Sequence, residues 1–600
     1  MGSTLILYGS ETGMSEELAQ KLSYKLHHSQ IPHVLASFDE MSLQKFEKLY
    51  TSTSETKLSN IIIVSSTTGQ GELPSFIKKS ALWQFLKRKD LSDTFFNGIN
   101  FYFLGIGDSL YVKFQHAIRL LKLRFIDRLG GNFKHKIEID VSGMRGNGSV
   151  EAAFPEFVKL VKQEISGSDN LNKYIDDKVY IPIGPVLSIQ EGDDNNNCIS
   201  VPIELSEEWI KSSVISNTRI TSKDHFQDVR SVLIKNNKKF KPGDTISIMP
   251  NNQEHSIDEF IKLQPHLKPF LNKKFNIEGY SESITLYDLI KTRLDINSVP
   301  RRFFFMKIWN FQETDKENEL EVLEQHKQKL YEFGHADDDY DYLDYVYRPR
   351  RSILEILYDF HYIKLPLEYL LDIIPTLRSR QYSISNSCFE GNTDIELTVA
   401  VLEYETLLFK KREGLCSNYI KNLKANQSIN FQINSLNLFE KIEPFVMEGV
   451  EDILLISPGV GIAPIKSFIM EQDYKDFNKT LYFGSRYSSK DKLYGSLLTS
   501  LSDDPEYNLI YKCCHSRDTN NIVDGIRIKY VQDLLWKDSE NVFDMIFNKK
   551  CIIYLCGSAG QMPTQVRMTV EAILNKHGVP NSDKYVSQLI KEDRFIQETW

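Results

Sequence analysis

The sequence predicts a multidomain chain in which two α/β domains flank one β domain, and three observations predict it. At 600 residues the chain is too long for one hydrophobic core, and ordinary domain sizes divide it into about three or four parts. At both ends, short apolar runs alternate with amphipathic stretches, the pattern of parallel sheets covered on both faces. Between them lies a β-rich region interrupted by a charged helical one.

Taken in order, TLILY at 4–8, IIIVSS at 61–66 and FYFLGIG at 101–107 are the strands of a first α/β domain over 1–165. SGSDN at 166–170 and EGDDNNN at 191–197 mark a linker over 166–200. DVRSVLI, DTISIMP, QYSIS and IELTVAVLEY build a β-barrel over 201–445, with a helical insertion at about 257–375. DILLISPG, TLYFGSR and CIIYLCGSAG supply a second parallel sheet over 446–600.

Composition excludes several classes. With 41% hydrophobic residues, 26% charged residues and a net charge of −9, the chain is neither broadly disordered nor a basic nucleic-acid binder. Seven scattered cysteines, without a CxxC pair, suggest neither a disulfide framework nor a metal site, and a reducing, cytoplasmic compartment is expected. No segment approaches the ~20 apolar residues of a bilayer span, so no membrane anchor is expected.

Three loops leave the C-terminal ends of strands in the first domain, where open α/β sheets place ligands. YGSETG at 8–13 offers Ser10, Glu11, Thr12, Gly13 and Met14 ahead of a helix starting near Ser15; both a phosphate site and an ordinary capped turn fit it. STTGQGELP at 66–74 brings Ser66, Thr67, Thr68, Gly69 and Gly71, the glycines allowing close approach of a planar ring. LGIGDSLYVKF at 104–114 adds Leu104, Gly105, Gly107, Asp108 and the aromatics Tyr111 and Phe114. Together these loops resemble the flavodoxin-like FMN domain of diflavin reductases. The resemblance implies that the first loop holds the FMN phosphate, that Tyr111 stacks on the flavin, that Asp108 orders its loop, and that Asp140 with VSGMRGNG closes the pocket edge. Met14 lacks the hydroxyl usual at its position.

RQYSISNS at 380–387 sets a cation, an aromatic and hydroxyls on one strand, with Arg380 and Tyr382 on one face and Gln381 and Ser383 on the other. GLCS at 414–417, comprising Gly414, Leu415, Cys416 and Ser417, precedes a helix. This ordered pair resembles the ferredoxin-reductase-type FAD β-barrel, which implies Arg380 and Ser417 at the pyrophosphate, Tyr382 against the flavin and Ser383 near its reactive nitrogen. Ser379 stands where that family usually has Pro.

SPGVGIAPIKSF at 457–468, with Gly459 and Val460, forms a strand-to-helix turn suited to a dinucleotide. GSR at 484–486, SRD at 516–518, KYVQ at 529–532 and CGSAGQMP at 556–563 follow in the order of a Rossmann-like NADPH domain. By that resemblance Ser516, Arg517, Lys529, Tyr530 and Gln532 receive the 2′-phosphate end, and no acidic residue replaces them as NAD preference would require. TNNIVDGIRI lengthens the segment before Tyr530 and leaves open whether Arg527 or Lys529 faces the phosphate. Cys556 and Glu598 match a cysteine and an acid that assist hydride transfer with a serine, here Ser383. Trp600 matches a terminal aromatic that covers the FAD ring and moves aside for nicotinamide.

NTRITSKDHFQDVR at 217–230, LDINSVPRRFFF at 294–305 and YRPRRSILEILYDF at 347–360, which holds Arg350 as a further cofactor-binding candidate, narrow the resemblance. They are similar to the short NADPH-dependent diflavin oxidoreductases of cytosolic iron-sulfur protein assembly. That family's acceptor is an anamorsin-type iron-sulfur protein. NADPH gives two electrons at once and iron-sulfur clusters take one, so two flavins in series are implied. A soluble cytochrome P450 reductase-like enzyme and a flavin-binding scaffold without turnover are the alternatives.

Overall fold

The computed structural model describes residues 3–11, 13–51, 57–68, 71–109, 113–142, 149–166, 180–189, 209–277, 283–336, 340–388, 392–406, 410–435, 438–518, 522–523, 526–558 and 560–599. They divide into two compact units, the first spanning 1–192, 260–283 and 296–375, the second 193–259, 284–295 and 376–600.

The first unit holds a five-stranded parallel sheet in the order His33–Ser37, Ser3–Gly9, Leu58–Ser66, Asn100–Gly107, Asn132–Asp140. This 2-1-3-4-5 order is that of the flavodoxin-like fold. The central strands are apolar through their middles because both faces are covered. Ile61, Ile63, Phe101 and Phe103 pack on one side with Trp83 and Phe125; Ile62, Val64, Tyr102 and Leu104 pack on the other with Leu18, Leu22 and Phe157. In register, Gly9 lies beside Ser65, Ser65 beside Gly105, and Gly107 beside Asp140, so the loops that follow these strands leave one sheet edge together.

Helices from the central insertion belong to this unit. Asp372 ties them to the stretch after the sheet: it pairs with the buried Lys307 at 3.2 Å, accepts from Gly184 N at 2.6 Å, and accepts from the Tyr180 hydroxyl. Arg301 pairs with Glu17 at 3.1 Å, on the first turn of the helix Met14–His28, and Phe303 meets Tyr24 edge-on at 5.8 Å.

The second unit contains a six-stranded antiparallel sheet in the order Arg380–Ser383, Thr245–Ile248, Ser428–Asn434, Ile210–Arg219, Val229–Ile234, Ile395–Ala400. A bridge between Ile384 and Leu397 joins its first and last strands, closing a barrel around Val214, Val232, Ile246, Ile248, Leu397 and Phe431. The helix Leu415–Asn422 packs against that core, its last carbonyls capped by Asn217 Nδ2, which donates to Ile420 O and Leu423 O at 2.8 Å each.

A second parallel sheet follows in the order Leu509–His515, Asn478–Ser485, Asp452–Pro458, Ile552–Gly557, Phe595–Thr599. Lys479 enters this sheet almost wholly buried, its Nζ donating to the carbonyls of Lys475 at 3.0 Å, Phe477 at 2.9 Å and Tyr507 at 2.9 Å. Burial pushes its pKa down to about 8 from 10.5. The folded state therefore binds fewer protons than the unfolded one between those values. The cost of burying the charge is complete below pH 8 and vanishes above pH 10.5, so stability rises with pH across that window, by roughly 3 kcal/mol at most. Relative to Lys479→Met, the wild type is expected to gain stability between pH 8 and 10.5 in denaturant titrations. A pH-independent difference refutes this assignment. Among the described residues no helix is long and apolar enough to cross a membrane.

Candidate functional site

At the edge of the first sheet, the chain turns from Ser3–Gly9 into Met14–His28 through Gly13, whose φ of 96° suits glycine. Gly13 N donates to the buried Ser10 Oγ at 2.9 Å, and Glu11 is half-buried. Thr12, Gly69 and Tyr111 lie outside the described residues, as does 143–148. The hydroxyls of Ser15, on the helix's first turn, and of Ser66 are buried without a hydrogen-bond partner. Two unpartnered hydroxyls beside a helix N-terminus fit a phosphorylated, hydrogen-bonding ligand such as FMN.

The neighbouring loops are held by identifiable bonds. Thr67 N donates to Ile106 O at 2.8 Å, Thr67 Oγ1 accepts from Ala117 N at 3.2 Å, and Thr68 N donates to Glu72 O at 3.0 Å. Gly71 has φ +90° and an added Cβ would lie 2.5 Å from Lys113 Cβ. Asp140 Oδ1 accepts from Ser109 N at 3.1 Å and Ser142 N at 3.0 Å. Burial pushes its pKa up, but the bonds from Ser109 and Ser142 outweigh burial and hold it below the usual carboxylate value. Asp140 thus orders the loop carrying the half-buried Asp108.

Gln115, which the sequence did not single out, organises the third loop. It is fully buried with φ 57°, and its Nε2 donates to Ile139 O at 2.6 Å and Gly105 O at 3.3 Å. A Cβ on Gly105 would fall 2.4 Å from its Oε1, and one on Gly107 would fall 3.2 Å from Gln115 and Phe114. The need for glycine there comes from Gln115, and Leu104 is wholly in the core, so these positions offer a ligand only backbone.

In the barrel, Arg380 and Tyr382 pair with the core residues Ile248 and Ile246, while Gln381 and Ser383 pair with Ser247 and Thr245, as strand alternation predicts. Arg380 is exposed, Nη1 donating to Arg378 O at 3.0 Å, whereas Tyr382 packs on the barrel core and burial raises its phenol. Cys416 points into that core, where burial lifts its thiol to about 11, so any ligand contact there falls to its backbone. Ser417 Oγ accepts from Leu402 N at 3.0 Å and donates to Gly414 O at 3.1 Å. The first turn of this helix leaves the N–H groups of Leu415, Cys416 and Ser417 without intrahelical acceptors, and Arg380 presents an exposed guanidinium. Arg350 is exposed, φ 55°, its guanidinium 4.8 Å over the Tyr347 ring.

In the second α/β sheet, Gly459 has φ +57° and Val460 packs on the core. Gly461 is sterically required, since a Cβ there would lie 2.2 Å from Cys556 O. Ser457 is fully buried with an unpartnered hydroxyl. Ser516 N donates to Ser485 O at 2.9 Å and Arg517 N to Arg486 O at 2.8 Å, which ties the ends of two adjacent strands. Burial, then the neighbouring charge of Arg517, lowers the pKa of Arg486, whose guanidinium also sits 4.2 Å over the Phe226 ring. Arg486 and Arg517 thus stand at neighbouring strand ends within electrostatic reach of each other, and Arg486 is the member that sequence reasoning left unassigned. Lys529 Nζ lies 5.0 Å over the ring of the exposed Tyr530, and Gln532 Nε2 donates to Gln565 at 2.8 Å. Arg527 instead lines a recess of about 260 Å³ with Gln532, Trp536 and Met568.

Cys556 and Glu598 face each other in register on adjacent parallel strands. Cys556 is fully buried with Sγ 3.9 Å from Glu598 Oε2, and burial pushes its thiol well up. Tyr554, also fully buried, donates from its hydroxyl to the same oxygen at 2.8 Å. Trp600 is outside the described residues.

The barrel and the second sheet are welded by a polar network. Lys466, buried on the helix following the glycine turn, pairs with Glu396 at 2.5 Å and lies 4.3 Å over the Tyr494 ring. Glu396 Oε1 also accepts from Ser231 at 2.7 Å and Tyr494 at 3.1 Å. Ser467 Oγ donates to Asn386 O at 2.6 Å.

Family models match three stretches: a flavodoxin model at 6–145, an FAD binding domain at 226–419 and an oxidoreductase NAD-binding domain at 455–567. The chain is also similar along its full length to curated fungal proteins bearing one name, NADPH-dependent diflavin oxidoreductase 1. Those of Kluyveromyces lactis and Saccharomyces cerevisiae are each 35% identical, with 99% of both chains covered. That of Schizosaccharomyces pombe is 31% identical, again with 99% of both chains covered.

Proposed function

The chain belongs to the NADPH-dependent diflavin oxidoreductase family, and on that premise we propose that it delivers electrons to an anamorsin-type iron-sulfur protein in cytosolic iron-sulfur cluster assembly. It is an NADPH-dependent oxidoreductase using FMN and FAD and passing electrons to a protein acceptor. The choice of acceptor is supported by the strings at 217–230, 294–305 and 347–360.

The assignment of NADPH rests on Arg486 and Arg517, two cations at neighbouring strand ends whose charges act on one another and which suit a 2′-phosphate. Ser516, Lys529 and Tyr530 complete that end, while Gly459 and Gly461 let the backbone approach the pyrophosphate. FMN is held by Ser10, Thr12, Gly13 and the first turn of Met14–His28, with Tyr111 on the ring; FAD is held by Arg380, Tyr382 and the turn at Gly414–Ser417. Bound in series, the flavins convert the two-electron donation of NADPH into the one-electron steps a cluster accepts. The protein's part is orientation: Glu396 and Lys466 fix the barrel against the second sheet, and Ser383, Cys556 and Glu598 line the place where nicotinamide meets flavin.

One experiment tests both levels. Flavin extraction is expected to give one FMN and one FAD per chain, and the purified protein with NADPH is expected to reduce an anamorsin-type protein faster than a microsomal P450 at matched concentration. A single flavin type removes the two-site assignment. A faster P450 reaction replaces the acceptor with a haem protein.

A further inference from the structure

The interior strand Ile552–Gly557 presents residues two apart to the same face, so Tyr554 and Cys556 project side by side. The neighbouring strand Phe595–Thr599 runs parallel in register, Cys556 beside Glu598 and Tyr554 beside Ile596. Glu598 Oε2 thereby meets two buried donors, the phenol of Tyr554 at 2.8 Å and the thiol of Cys556 at 3.9 Å. They are unequal. A phenol O–H at 2.8 Å is within the ordinary range for a hydrogen bond, whereas a thiol is a weak donor and 3.9 Å is a loose contact. Tyr554 is completely enclosed in the hydrophobic cluster beneath the site, with Ile453, Leu455, Ile552 and Ile596. Its hydroxyl, buried in apolar surroundings, needs that carboxylate as its partner.

We propose that Tyr554 is the positioning residue that fixes the rotamer of Glu598, so that the carboxylate stands at the hydride-transfer centre beside the thiol of Cys556. This rests on the placement of Cys556 and Glu598 at that centre. The ring, locked in the core, acts as a rigid post. The last strand of the sheet lies at its edge, and the bond from Tyr554 ties the Glu598 carboxylate to the sheet's interior. Nothing in this role needs Tyr554 to touch nicotinamide or flavin.

Tyr554→Phe removes the hydroxyl and keeps the ring. In stopped-flow reduction of the FAD-loaded protein at saturating NADPH, it is expected to lower the limiting rate about tenfold, the loss of one charge-assisted hydrogen bond that orients a reacting group. The dissociation constant of NADP+ by calorimetry and the FAD content are expected to stay within about twofold, which separates orientation from binding. Placed in a Glu598→Gln background, Tyr554→Phe is expected to add less than twofold, because the two residues act through one bond. An unchanged limiting rate in Tyr554→Phe overturns the proposal. So does an equal fall in both backgrounds, or a fall matched by weaker NADP+ binding, since either marks general packing. If Glu598→Gln alone reduces at the wild-type rate, the placement of Glu598 at the centre is wrong, and the role of Tyr554 falls with it.

Discussion

Lys466→Met is expected to destabilise the second unit by about 3 kcal/mol and to slow flavin reduction by NADPH. Removing one partner of a buried ion pair typically costs about 3–5 kcal/mol, because the remaining charge stays desolvated. The lower figure applies here because Glu396, 18% exposed at its side chain, keeps its bonds from Ser231 and Tyr494. The rate falls because Lys466 sits on the helix that follows the glycine turn, so its loss lets that turn shift against the barrel. Lys466→Met with Glu396→Gln is expected to recover most of the stability, since no unpaired charge remains. Denaturant titration followed by flavin fluorescence measures the first effect and stopped-flow reduction the second. A loss below about 1 kcal/mol means that water reaches Glu396 and the pair is not buried in solution.

Arg517→Ala is expected to raise the KM for NADPH by about ten- to a hundredfold while leaving that for NADH within about twofold. A charge-assisted hydrogen bond to phosphate contributes about 1.5–3 kcal/mol, and NADH has no 2′-phosphate to lose it from. Arg486→Ala is expected to show the same discrimination with a smaller rise, because its guanidinium also stacks on Phe226. Equal rises for both dinucleotides move the phosphate contact elsewhere, to Lys529 or to the recess beside Arg527.

Most of the fold was legible because the central strands of both parallel sheets are apolar on both faces, and IIIVSS, FYFLGIG and DILLI have few other readings. The strands His33–Ser37 and Asn132–Asp140 escaped because they lie at sheet edges, where NFKHKIEID runs from the exposed Asn132, Phe133 and Lys134 into half-buried residues and no strong period survives. At Arg380–Ser383 period two follows from strand geometry alone, and the register sets Arg380 and Tyr382 opposite Ile248 and Ile246. Long-range partners were not readable. Gln115 explains Gly105 and Gly107 only once Ile139 lies beside them, and a tyrosine two residues before a cysteine on a buried strand looks like plain core until Glu598 arrives from 44 positions downstream. The same limit hid Ser15, whose significance is an absence of partners, and the joining of Lys466 to Glu396 across 70 residues.

That last contact bears on any attempt to exchange parts between relatives. The cation and the aromatic of the network, Lys466 and Tyr494, belong to the dinucleotide half, and its anion and hydroxyls, Glu396, Ser231 and Thr398, to the barrel. A graft that imports a foreign dinucleotide half with an apolar residue at position 466 would strand a carboxylate at the seam, however well the nucleotide-binding loops are copied. A chimera cut near 446 therefore inherits its nucleotide preference from the loops, but its ability to fold from whether the donor carries a cation at that one helical position.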